Sequence, residues 1–145
     1  MKCIKLRPND VYFGRLRKGG DLIEQITSFC AENAINSGFF TAIGAVERAE
    51  VAYYLQDRKT YVQEKFDEPL ELASCTGDIT LKDGKPFVHA HACLSREDKS
   101  TVAGHLVSAS VYAGEVFLTA FRNRLERRLD KATGLSLVET PLHKP

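Results

Sequence analysis

The stretch that most restricts the fold begins at Lys82-Asp83-Gly84-Lys85 and runs on through Phe87 to Ser95, FVHAHACLS. Asp-Gly supplies the positive φ angles that a tight hairpin turn requires, so the chain must reverse here between two strands. Successive side chains of a strand point to opposite faces. Val88, Ala90, Ala92 and Leu94 therefore line a face suited to a core, and Phe87, His89, His91 and Cys93 share the other. A half-buried strand leaving a tight turn implies a sheet that is antiparallel at this point.

The remaining punctuation extends that sheet. Short strands are expected at Cys3 to Leu6, stopped by Pro8-Asn9-Asp10, and at Val11 to Leu16, ended by Lys18-Gly19-Gly20. One helix follows. Asp21 is its N-cap, and Glu24 stands three residues on, as in a capping box. Leu22, Ile23, Ile26, Phe29 and Cys30 fall near a 3.6-residue period and form its apolar stripe. It should end around Asn33 to Asn36. Strand runs follow at Phe39 to Val46 (with Gly44 at a bulge or a close contact), Glu47 to Leu55, Thr60 to Phe66, and Leu70 to Leu81 with a kink at Gly77. After the histidine strand come a polar loop at Ser95 to Ser100 and two strands, Gly104 to Val111 and Glu115 to Phe121, broken at Ala113-Gly114. Arg122 to Asp130 is charged, with Leu125 and Leu129 as its apolar anchors, and Leu135 to Val138 closes the chain. This order gives an α+β domain, a largely antiparallel sheet of about seven strands packed with one main helix. Its 145 residues form a single domain, 1–145, large enough for a core without staples.

Charge and cysteine usage exclude some classes. The net charge of +1 creates no global field toward nucleic acid or an acidic membrane. Cys3, Cys30, Cys75 and Cys93 are scattered with no C-x-x-C pair, so they suit free thiols in a reducing cytoplasm rather than a disulfide framework. The opening MKCIKLRPND lacks the long apolar core of a secretory signal, and no apolar run reaches the ~20 residues needed to cross a bilayer.

Three of the four histidines lie between Pro86 and Phe121. His89 and His91, roughly 7 Å apart along one strand face, can converge on one ion. His105 supplies a third ligand if its strand lies beside theirs. Zinc accepts neutral imidazole at about 2.0–2.1 Å and favours four ligands, so three histidines leave one position open. Iron and nickel also take imidazole. Cys93 or an acidic side chain could add a ligand. The competing reading is three packing or hydrogen-bonding histidines in a sheet. An open metal position could activate water. A hydrolase would then need a base, with Glu71, Asp78, Glu97 and Glu115 as the acidic candidates in this half of the chain. The tail histidine, His143, stands apart. Arg122, Arg124, Arg127 and Arg128 form a basic cluster suited to phosphate, interrupted by Glu126 and Asp130. Solvated or ion-paired arginines are the alternative there. Tyr53, Tyr54, Tyr61, Phe117 and Phe121 are expected in the core or at an interface.

Four segments in order resemble the plants-and-prokaryotes-conserved (PPC) domain in its stand-alone prokaryotic form: IGAVERAEVAYY at Ile43 to Tyr54, LELASCTGDITLKDGKPFVHAHACLS at Leu70 to Ser95, GHLVSASVYAGEVFLTAF at Gly104 to Phe121, and LERRLDKATGLSLV at Leu125 to Val138. The resemblance covers nearly the whole chain. It implies an antiparallel sheet with helix, assembly as a homotrimer, and DNA-binding or gene-regulatory activity. It also implies a metal associated with the HAH and GHL histidines. The AT-hook that precedes the domain in plant proteins is not present. The leading expectation is a cytoplasmic DNA-binding or gene-regulatory homotrimer with a metal site at His89, His91 and His105. Against it stand a metal-dependent enzyme or small-molecule binder using the open position of that site, and an assembly module whose partner is another protein.

Overall fold

The computed structural model describes residues 3–139. The elements are β1 (Pro8–Leu16), α1 (Leu22–Glu32), β2 (Gly38–Leu55), β3 (Thr60–Phe66), β4 (Leu70–Lys82), β5 (Lys85–Ser95), β6 (Thr101–Phe121), β7 (Arg127–Leu129) and β8 (Ser136–Val138). The first six strands form one antiparallel sheet in the order β1-β6-β5-β4-β2-β3. Strand β6 pairs with β2 as well as β5, so β2, β4, β5 and β6 close into a ring. β7 and β8 make a separate two-stranded ribbon docked beside the end of β4, where Leu81 N–H donates to the Leu125 carbonyl at 2.8 Å. The expected fold class holds, with eight strands among the described residues.

Alternation decides which face is buried. Val88, Ala90, Ala92 and Leu94 of β5 are all buried, and they join one core cluster with Phe40, Val46, Leu72, Ile79, Leu106, Val111 and Leu118. The stripe of α1 completes that cluster through Leu22, Ile26 and Cys30, with Ile23 and Phe29 packed at its margin. The helix therefore covers the core face, and the other face of the sheet is left outward. The Asp83-Gly84 turn forms as expected, with φ of 53° and 75°, and it pairs Lys82 with Lys85. A bulge does occur at Gly44 (φ 148°), where the pairing of β2 with β4 shifts between Ala42 and Gly44.

Several expectations are corrected. Cys3 to Leu6 is not a strand, and Pro8-Asn9-Asp10 opens β1 instead of stopping a strand. Residues 39–55 form one strand, and Ala113-Gly114 does not break β6, whose pairing with β2 shifts register and continues. Gly77 leaves the β4–β5 register unbroken. Its role is space, since a Cβ there would meet the His89 carbonyl and the Phe40 ring. Leu129 is 67% exposed and anchors nothing; the buried residue of that segment is Arg127. Tyr53 and Phe117 lie on the surface, so of the core-or-interface expectation only an interface is left to them. His143 falls outside the described residues.

Asp21 ties the helix to the sheet. One carboxylate oxygen accepts from Glu24 N–H at 2.9 Å and caps the helix, and the other accepts from Ala109 N–H of β6 at 2.7 Å. Asp21→Ala removes a cap and leaves a part-buried strand amide unpaired. We expect it to lower stability by about 2 kcal/mol in urea unfolding, roughly one for each function. A loss below about 0.5 kcal/mol, the range of an ordinary surface substitution, would contradict this double role.

Candidate metal centre

In antiparallel pairing, residues directly opposite one another project from the same face. The register places His91 opposite His105, Asp78 opposite His89, and Thr76 opposite His91. All three histidines thus leave the outward face of β5 and β6, and one nitrogen from each lies within 4.8 Å of the others. The ring centroids form a triangle: 5.2 Å from His89 to His91, 5.1 Å from His89 to His105, and 5.6 Å from His91 to His105. Nitrogens bound to one tetrahedral ion at about 2.1 Å stand roughly 3.4 Å apart, so modest side-chain rotation brings the three to ligand spacing. The Tyr61 ring of β3 lies 5.1 Å from that of His105 and walls one side. Cys93, on the same strand face, is not part of the group.

The electrostatics suit a cation. Burial, reinforced by the charge of His89, holds His91 below the ordinary histidine value. Burial, then the neighbouring His89, His91 and Arg127, lowers His105 to about 4. Its Nδ1 is buried and has no hydrogen-bond partner. Buried polar atoms are otherwise paired, and a neutral imidazole with an unpaired nitrogen has the lone pair that a metal ion accepts. These three residues fit a divalent ion.

Asp78 and Arg127 surround His89. The Asp78 carboxylate lies 3.1 Å from His89 Nδ1 and accepts two contacts from Arg127 Nη2, at 2.6 and 2.8 Å. Burial alone would raise the Asp78 carboxyl, but hydrogen bonds from His89 and Arg127 and the positive charge of Arg127 outweigh it and hold the group below its usual value. Of the acidic candidates, Asp78 is the one beside the histidines. Glu71 stands opposite Ser95, Glu115 opposite Arg15, and Glu97 in the loop after β5. Counting outward from the two-residue turn would have found Asp78, because that turn fixes which β4 residue faces each β5 residue.

The arginine cluster does not form one free patch. Arg127 has a side chain only 7% exposed and donates inward to Thr80, Ser136 and Asp78. This corrects the expectation that it faces phosphate. Arg124 lies 3.6 Å from Glu126, and Arg128 lies 3.0 Å from Glu139. Arg122 is exposed. The larger hollows in the surface lie away from the histidines; one of about 620 Å³ sits between the start of α1 and residues of β2, β3 and β6. Among the described residues, no helix is long and apolar enough to cross a membrane.

A closed antiparallel sheet with one covering helix and an outward three-histidine cluster defines a small β-rich domain whose histidines could hold a metal ion. The family model of the Plants and Prokaryotes Conserved (PCC) domain matches residues 5–122, and the chain belongs to that family. Its fold is similar to that of a metal-containing protein from Archaeoglobus fulgidus, at 39% identity over 96% of this chain and 99% of that one, with a TM-score of 0.92. It is also similar to a plant- and prokaryote-conserved (PPC) protein from Pyrococcus horikoshii, at 33% identity over 96% and 97%, TM-score 0.91. A protein from Bacteroides thetaiotaomicron, which its name proposes to be DNA-binding, matches at 26% identity over 93% and 97%, TM-score 0.86. No curated protein matches the chain by sequence.

The depressed His105 value carries a sign. Between about pH 6.5, the ordinary value, and about pH 4 the unfolded chain binds a proton at His105 that the folded chain does not. Stability therefore rises with pH across that window and is lost on acidification through it. In chelator-treated protein, the melting temperature should fall from pH 7 to pH 4.5, and His105→Leu should flatten that slope. An equally steep slope in the variant would contradict the assignment.

Proposed function

We propose that the protein is a metal-binding member of the PCC family in which His89, His91 and His105 hold one divalent ion, zinc in the first instance, with a coordination position left open. The convergence of three imidazoles on one point carries this reading, and the metal-containing Archaeoglobus relative supports it. Zinc at three histidines and water would lower the pKa of that water and polarise a small ligand, so the open position suits a small-molecule binder or a metal-dependent enzyme. Elemental analysis of untagged protein should find about one ion per chain. His91→Ala should lose it and His143→Ala should keep it. Protein that carries no metal after incubation with zinc, iron or nickel would refute the reading.

DNA-binding gene regulation by a homotrimer is the second reading. The Bacteroides relative and one from Ralstonia eutropha bear names that propose DNA binding. An exposed apolar group on the outward face, with Val11 72% and Phe13 60% exposed beside Phe39, Ile43 and Phe117, favours self-association through that face. A trimer would present Arg122, Arg124 and Arg128 three times, which turns a weak patch into a useful surface. Four unpaired thiols favour a cytoplasmic location. Sedimentation with labelled duplex DNA should give the mass of three chains and binding that weakens steeply with salt. A monomer, or no DNA binding at low salt, would remove this reading.

A further inference from the structure

The ribbon β7–β8 lies beyond residues 5–122, the part matched by the family model. Its one buried side chain, Arg127, nevertheless reaches the histidine cluster. Nε donates to Thr80 Oγ1 at 2.9 Å, Nη1 to the Ser136 carbonyl at 2.7 Å, and Nη2 to both oxygens of Asp78. The guanidinium thus joins the ribbon, through Ser136, to β4 through Thr80 and Asp78. Asp78 in turn meets His89.

The two tautomers of His89 differ in how they meet Asp78. Nη2 of Arg127 lies 3.2 Å from His89 Nδ1 and 2.8 Å from Asp78 Oδ2. An ionised carboxylate only accepts, and a guanidinium only donates. If Nδ1 were the bare nitrogen, it could accept from Arg127 Nη2 at 3.2 Å, but it would face the carboxylate oxygen at 3.1 Å with two lone pairs opposed and no proton between them. With Nδ1 protonated, His89 and Arg127 both donate to Oδ2, and the short Arg127–His89 separation follows from sharing one acceptor. His89 is then left with Nε2 as its single lone-pair nitrogen. A ligating histidine whose second nitrogen donates to a carboxylate has its tautomer and ring orientation fixed.

We propose that the ribbon of residues 127–138 is a clamp on the metal centre: Arg127 fixes Asp78, Asp78 fixes His89, and metal occupancy and ribbon docking strengthen one another. This inference rests on the His89–His91–His105 metal site proposed above. Arg127 and Asp78 are positioning residues in it, since neither is a ligand. Reciprocity is a thermodynamic necessity: if the docked ribbon tightens metal binding by some factor, bound metal tightens ribbon docking by the same factor.

Zinc affinity is measured by competition with a chromogenic chelator for the full chain and for His91→Ala, Asp78→Asn and Arg127→Met. Loss of a carboxylate or its holder behind a ligating histidine costs on the order of 10–100-fold in metal affinity, and that is the weakening expected for Asp78→Asn and Arg127→Met. The ¹⁵N shifts of His89 should report an Nδ1–H tautomer in the unaltered protein and a mixture in Asp78→Asn. In the unaltered protein, exchange of the Asp130 and Glu139 amides, which close the ribbon onto Leu135 and Glu126, should slow when zinc is added. Zinc binding that is lost in His91→Ala but unchanged within about twofold in both positioning variants, against the 10–100-fold expected, overturns the clamp and leaves the metal site standing. So does identical exchange of those two amides with and without zinc. Failure of the unaltered protein to bind zinc, iron or nickel overturns the metal site and the clamp together.

Discussion

The register between β5 and β6 is the constraint on which the candidate centre depends. His91 faces His105 because the two strands pair with His91 opposite His105 and Ser95 opposite Thr101. A slip of one residue would turn every side chain of β5 to the other face, placing imidazoles in the core and Val88, Ala90, Ala92 and Leu94 in solvent. Burying those four apolar side chains against the helix and its neighbours therefore fixes the position of the histidines. Stability and site geometry are two consequences of one pattern.

Closure of the sheet adds the rest. Because β6 reaches from β5 across to β2 and β1, its far half lies beside Phe39 and Val11 while its near half carries His105. Opposed residues lead across the outward face from Val11 through Thr119, Phe39 and Asp78 to His89. The exposed apolar group and the histidines thus occupy one surface. Partial burial lowers the pKa of His91 and of His105, which favours the neutral rings and so lessens the repulsion that protonated rings about 5 Å apart would suffer.

Much of this was legible in the chain. The histidine strand, the Asp83-Gly84 turn and the Asp21 cap are short-range signals whose physics is complete within a few residues, and each is found where the sequence puts it. Misreadings occurred where the deciding contact was distant. Ala113-Gly114 reads as a break, yet β2 pairs with β6 on both sides of it and carries the strand through. Pro8 reads as a stop, yet Pro8 pairs with Phe121 at the margin of β1, where a strand tolerates a missing donor. Arg127 carried no local mark distinguishing it from Arg124 or Arg128. Its burial follows from the docking of β7–β8 beside β4, which no periodicity announces. Asp78 was readable, because the turn that pairs Lys82 with Lys85 also fixes its place opposite His89.

The most direct test is a crystal structure of zinc-loaded protein with anomalous diffraction recorded on both sides of the zinc edge. The account predicts a single anomalous peak per chain, at about 2.1 Å from one nitrogen of each of His89, His91 and His105, with His89 Nδ1 still directed at Asp78. A peak elsewhere, or the three rings turned apart with no ion between them, would contradict it.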